Sequence, residues 1–159
     1  YNKGSSKDNT YLIEIYGDLK KLIDQEDAGV DYADKFFKLT TDIKVTADTW
    51  TPIGISSAKP FSGNFDGGGH TISGELKGSF SNDLKYFGFF GYLTTTSSLL
   101  IEYIHIAANV TWSFASPEGT STSYFGVGGV IGNGSTQKIT VHNCTMSGEM
   151  KISNGSLGY

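Results

Sequence analysis

Arginine is missing from this 159-residue sequence, cysteine occurs once, methionine twice and proline three times. With no guanidinium groups and a formal charge of -4, the chain lacks the clustered, bidentate cations with which proteins grip nucleic-acid phosphates. A lone Cys144 excludes an internal disulfide and a multi-cysteine zinc site; its strand-like setting between Asn143 and Thr145 reads as a buried thiol rather than a reactive one. There is no run of about 18 apolar residues, so no membrane-spanning helix is expected. No basic-then-apolar leader stands before the polar start at Tyr1, and the expectation is that any export signal has been removed.

What is present is glycine, at 21 residues, with 18 Ser and 16 Thr, so the surface is polar but mostly uncharged. An apolar share of 38% with 13% aromatics still suffices for a packed core. The length fits one domain or part of a repeat array. Ten of the 16 acids fall within the first 48 residues, whereas beyond Phe87 only Glu102, Glu118, Glu149, Lys138 and Lys151 are charged. That shift divides the chain into residues 1–48, read as a small α/β cap, and residues 49–159, read as repeating strands.

In the first region Tyr11 to Ile15 alternates like a strand. Asp18 can then cap a short helix whose Leu19, Leu22 and Ile23 share one face. Phe36 to Leu39 and Asp42 to Val45 read as further strands, with Thr40 and Thr41 turning between them. The second region repeats. Thr71-Ile72-Ser73-Gly74-Glu75-Leu76-Lys77 matches Thr145-Met146-Ser147-Gly148-Glu149-Met150-Lys151, and His105 to Thr111 carries the same pattern between them. A Gly-rich element, Tyr86 to Leu93, matches Tyr124 to Ile131 at an offset of 38.

Strand alternation sends Ile72, Leu76, Ile106, Ala108, Val110, Met146 and Met150 inward, with Gly74, Ala108 and Gly148 forming a small-residue column that relieves crowding between opposite walls. Polar residues including Glu75, His105, Asn109 and Glu149 point outward. Each rung buries its inner face only against a neighbour, which predicts an all-β fold, a right-handed parallel β-helix of about three coils behind the cap. No carboxyl-terminal cap is legible, so the array is expected to continue in a longer chain or to associate end to end.

Asp66-Gly67-Gly68-Gly69-His70 offers only two of the three or four ligands a metal needs, and reads as a sharp turn with glycines at positive φ and Asp66 bonding backbone amides. Neither a metal nor a cofactor is implied. Glu75 and Glu149 have roughly the spacing of a glycosidase pair if two rungs apart, but Lys77 and Lys151 two residues on suit a solvated face better. Outward aromatics are the stronger lead: Tyr103, His105 and Asn109 beside one another, and Phe90, Tyr92 and Val130 outward if Phe87, Phe89, Val127 and Ile131 point in. Such a face stacks on sugar rings, meets a protein partner, or is covered by the loop from Ser113 to Ser123. Trp50 and Trp112 read as core or end-plug residues.

Trp50-Thr51-Pro52-Ile53-Gly54, then Phe61 to Gly74, and the Gly-rich strands Phe87 to Leu93 and Phe125 to Ile131, together resemble GLUG-motif and related adhesin-like β-helix proteins of bacterial surfaces. The segment Leu39 to Ile43 resembles the stretch that precedes the motif, so the resemblance covers roughly residues 11 to 152. It implies an extracellular or cell-surface protein, commonly adhesin-like and often part of a longer chain, with no catalytic residues to carry over. The leading expectation is a non-catalytic adhesion or binding module for an extracellular glycan or a host surface protein. A carbohydrate-active lyase or glycosidase and a structural spacer are the alternatives.

Overall fold

The computed structural model describes residues 3–46, 49–79, 85–114, 126–135 and 138–154. Most of the predicted covering loop after Phe114, Tyr124 and Phe125 of the second Gly-rich element, and the last five residues lie outside them. Strand β1 (Tyr11–Ile13) leads into helix α1 (Tyr16–Asp27), followed by β2 (Phe36–Leu39), β3 (Ile43–Val45), β4 (Asn64–Asp66) and β5 (Thr71–Ser79). Next come β6 (Tyr86–Phe87), β7 (Phe90–Leu93), β8 (Leu99–Glu102) and β9 (His105–Phe114). The chain continues through β10 (Gly126–Val127), β11 (Ile131–Gly134), β12 (Ile139–His142), β13 (Thr145–Met146) and β14 (Met150–Asn154).

Every pairing between these strands is parallel. One sheet runs β1-β2-β4-β8-β12, and a second runs β3-β5-β9 with both β13 and β14 on β9. The pairs β6/β10 and β7/β11 build the third side, which the parallel bridges Ile53 to Phe90 and Phe61 to Leu93 extend back to the preceding turn of chain. The chain visits the three sides in the same order on each pass. The protein is therefore mostly β, with stacked parallel strands in a β-solenoid-like arrangement. This cycle begins at β2 and β3, within the segment 1–48.

The rungs stack in the register the repeats predicted. Thr71 faces His105 and His105 faces Thr145, while Lys77 faces Thr111 and Thr111 faces Lys151. Ile72, Leu76, Ile106, Ala108 and Val110 are at most 1% exposed, and the interior is completed by Phe61, Phe65, Phe87, Phe89, Phe90 and both tryptophans. Trp50 donates its indole N–H to the Gly88 carbonyl at 2.9 Å. At the other end of the ladder, Val141, Met150 and Ile152 are 48%, 40% and 50% exposed, although their partners Ile101, Val110 and Trp112 are buried. The last rung has the inward pattern without a neighbour over it among the described residues.

Helix α1 packs on β1 and β3, the strands at the opposite edge of the two large sheets, and buries Leu19, Leu22 and Ile23. Asp18 stabilises its start from inside the first turn: the carboxylate accepts the N–H groups of Glu14 and Ile15 at 2.9 and 3.1 Å, next to the positive end of the helix dipole.

Three details differ from the sequence reading. Phe90, expected outside, is fully buried beside Phe89, because a bend at Gly88 and Phe89 separates β6 from β7 and breaks the alternation that assigned them to opposite faces. The Gly-rich strands also pair Tyr86 with Gly126 and Phe90 with Ile131, rather than at the offset of 38. The first pair keeps the step of 40 seen between His105 and Thr145, and the second advances by 41 because one more residue lies between β10 and β11 than between β6 and β7. The glycines in the rungs also act differently. A Cβ on Gly74 would stand 2.3 Å from the Val45 carbonyl oxygen, and one on Gly148 would stand 1.9 Å from that of Ala108. Both make room for the backbone of the adjacent coil rather than for an opposite wall.

Candidate functional site

The outer face of β5, β9, β13 and β14 is a ladder of short polar side chains held in line by the parallel pairing. His105 Nδ1 lies 2.7 Å from Thr145 Oγ1, and Thr111 donates to Glu75 Oε1 at 3.1 Å. Asn109, exposed at the centre, accepts the backbone N–H of Glu149 through Oδ1 at 3.0 Å. Glu149 pairs with Lys151 at 3.3 Å. Glu149 thus has the lysine partner expected two residues on, whereas Glu75 is bonded to Thr111 on the next rung.

Tyr103 stands at the corner between β8 and β9 and is 42% exposed. Its φ of 53°, like the 50° of Asn143 one coil on, is a left-handed conformation uncommon for a residue with a side chain. The Tyr103 ring meets His142 edge to face with centroids 5.6 Å apart, and Tyr103 takes the His142 carbonyl through its N–H at 3.1 Å. Glu102 beside it receives Lys7 at 3.2 Å and lies 4.0 Å from His142. Tyr103 thus stands at the corner from which β9 starts, while His105 at the start of β9 and Asn109 four residues on share the outer face of that strand. Tyr92 does not join them: it lies on β7 of the third side, half-buried, with its ring 5.1 Å from Tyr86.

The segment Asp66 to His70 forms the corner before β5. Asp66 accepts the Gly68 N–H at 2.7 Å and pairs with Lys38 at 3.5 Å, while Gly68 and Gly69 have φ of 59° and 77°. At Gly67 a Cβ would come within 2.3 Å of the Tyr103 carbonyl, so this corner and the Tyr103 corner are stacked in direct contact. His70 lies 3.3 Å from Asp42, whose carboxyl is held below its ordinary range by the Thr71 N–H first and by His70 second. Among the described residues no group of three or more His, Cys, Asp or Glu is gathered as a metal would require. Cys144 is half-buried, and burial raises its thiol pKa.

The interior holds one feature that the repeats did not suggest. Glu26 is 5% exposed, accepts the Gly54 N–H at 3.0 Å through Oε2, and leaves Oε1 buried with no hydrogen-bond partner among the described residues. Burial raises its carboxyl to about 8 despite the opposing hydrogen bond from Gly54. The signal lay in the helix pattern: Glu26 continues the stripe of Leu19, Leu22 and Ile23 at the three-and-four spacing, a carboxyl on an apolar face.

No protein-family model, curated protein or solved structure matches the chain.

Proposed function

We propose that the chain is a right-handed parallel β-helix, capped at its amino end by α1, that serves as a non-catalytic binding module of a secreted or cell-surface adhesin-like protein, with glycans as its ligand class. The observation that carries this reading is the in-register outer face from Thr71 to Lys151, an aligned row of hydroxyl, amide, imidazole and charged groups that starts at the corner bearing the exposed Tyr103. Sugars are bound by such a combination, with ring faces on an aromatic and hydroxyls on fixed polar groups. Right-handedness follows from the strong preference of parallel strand connections for that hand. The uncovered Val141, Met150 and Ile152 support stacking of a further coil on that end.

Glycan-array binding tests the reading. Tyr103→Ala is expected to weaken binding of the best glycan roughly tenfold while leaving the melting temperature within a few degrees, since the ring is largely outside the core. Unchanged binding would place the ligand elsewhere. Sugar release abolished by Glu75→Gln would replace the reading with an enzymatic one, and no glycan binding at all would leave a spacer.

A further inference from the structure

A solvent-connected cavity of about 460 Å³, within the size range of small-molecule sites, opens between β1 and the flank of α1 that bears Asp18, Lys21 and Gln25. Tyr11, Leu12 and Val30 give it an apolar wall, and Leu12 and Val30 are 45% and 44% exposed. Lys3 stands at the same cavity, and the backbone beside it is held in place. The Phe36 N–H donates to the Gly4 carbonyl at 2.9 Å, and a Cβ on Gly4 would collide with the Tyr11 ring. Neither Lys3 nor Lys21 has an ion pair or hydrogen bond among the described residues. Asp18, the one acid in the lining, already accepts the N–H groups of Glu14 and Ile15.

The backbone adds a donor. Strand β1 is the first of its sheet and pairs only with β2. Successive residues of a strand direct their N–H and C=O groups to opposite sides. The Ile13 carbonyl accepts the Thr40 N–H, so Ile13 and Tyr11 are turned to β2 and Leu12 to the free edge. The Leu12 N–H and C=O have no partner among the described residues. An apolar wall, one backbone donor and two lysines that no described residue balances thus meet at one cavity.

We propose that this cavity binds a small carboxylic acid with a flat apolar body, its carboxylate accepting the Leu12 N–H and pairing with Lys3 and Lys21 while its body lies against Tyr11, Leu12 and Val30. A carboxylate makes charge-assisted bonds to both kinds of donor at once. Two lysines against one acid leave a single surplus positive charge, which suits one carboxylate rather than a polyphosphate. A cationic ligand would meet only Asp18, whose carboxylate already accepts two N–H groups. A peptide strand is a poorer fit: of the three residues of β1 only Leu12 faces the free edge, so pairing would end after one residue. The inference is independent of the strand-face reading.

Titration of the isotope-labelled chain with sodium hydrocinnamate, a phenyl ring on a propionate, followed through the amide resonances, tests this. The expected result is saturable binding with a dissociation constant of about 1 mM. The largest shift should fall on the Leu12 amide, with none along Thr71 to Lys77 or His105 to Thr111. Lys3→Met and Lys21→Met, both at exposed positions, should each weaken binding about two- to fivefold, and together about tenfold, with the melting temperature within a few degrees of the unsubstituted protein. Hydrocinnamyl alcohol, the same body without the charge, should bind about tenfold more weakly. Equal binding of the alcohol, unchanged affinity in the double variant, shifts centred on the strand face, or no saturable shift would each overturn the proposal. Tighter binding of N-acetyl-phenylalaninamide, which has the ring and peptide amides but no carboxylate, would make the groove a strand-pairing site and overturn it as well.

Discussion

Phe89→Ala is expected to cost about 3 to 5 kcal/mol of folding stability, read as a lowered urea midpoint at unchanged slope. The ring is fully buried in the interior. It stacks on Trp50 at 5.4 Å and meets Phe65 and Phe90 edge to face at 6.0 and 5.0 Å. Removing it leaves a void lined by rings that are themselves tied to the backbone, as Trp50 is to Gly88, so little collapse can refill the space. A total stability of about 5 to 15 kcal/mol makes this a large fraction of the whole. Phe89→Leu, which keeps most of the volume, should cost visibly less. A loss below about 1 kcal/mol for the alanine would mean that the ring is not part of the packed interior.

The second large effect is set by pH. The Glu26 carboxyl is raised by burial from 4.5 to about 8, so between those values the folded protein keeps a proton that the unfolded chain has released. Stability from this group is fully present below about pH 4.5, declines as pH rises, and is lost once the pH passes about 8. At about 1.4 kcal/mol per unit, the decline amounts to a few kcal/mol. Asp42 acts oppositely but at lower pH: its depressed carboxyl contributes above about 3.8 and is lost only as pH falls through the folded value. The raised groups Tyr16, Tyr32, Lys20 and Cys144 titrate above the window. Glu26→Gln should therefore flatten the stability profile between pH 5 and 8 and leave the protein more stable than the unsubstituted one at pH 8. Parallel profiles for the two proteins would contradict a buried, protonated Glu26.

The parts of this structure that sequence made legible are those where side-chain alternation survives. The rungs from Thr71, His105 and Thr145 have apolar inward residues at every second position, large at the two ends and Gly or Ala between, and that pattern admits one register, since a slip of one residue would turn Ile106 and Val110 to water. The Gly-rich strands have no such constraint. Five of the 16 positions in Tyr86 to Leu93 and Tyr124 to Ile131 are glycine, and the bend at Gly88 reverses the facing, so Phe90 could be placed only by its packing on Phe61 and Phe65. Tyr103 was visible as an outward aromatic, but its left-handed corner was not, because nothing local in the sequence asks for a positive φ at a tyrosine. That backbone is imposed by stacking of the corner on Gly67 below and Asn143 above.

The buried Glu26 was missed for a related reason. A helix written as part of a cap draws attention to its apolar stripe, and a single carboxyl on that stripe is easily taken for its solvated edge. What decides the matter is the long-range contact with Gly54, 28 positions away, which the helix pattern alone does not contain.

The proposed binding face exists only if consecutive coils stack parallel and in this register, and nuclear Overhauser contacts between backbone protons measure that directly. The account predicts inter-strand contacts joining residue 75 to 109, 77 to 111 and 111 to 151, together with 71 to 105 and 105 to 145, in the slanted pattern of parallel strands. Contacts displaced by one residue would turn the polar set of one strand inward, and an antiparallel pattern would replace the coil with hairpins; either would contradict both the solenoid and the proposed site.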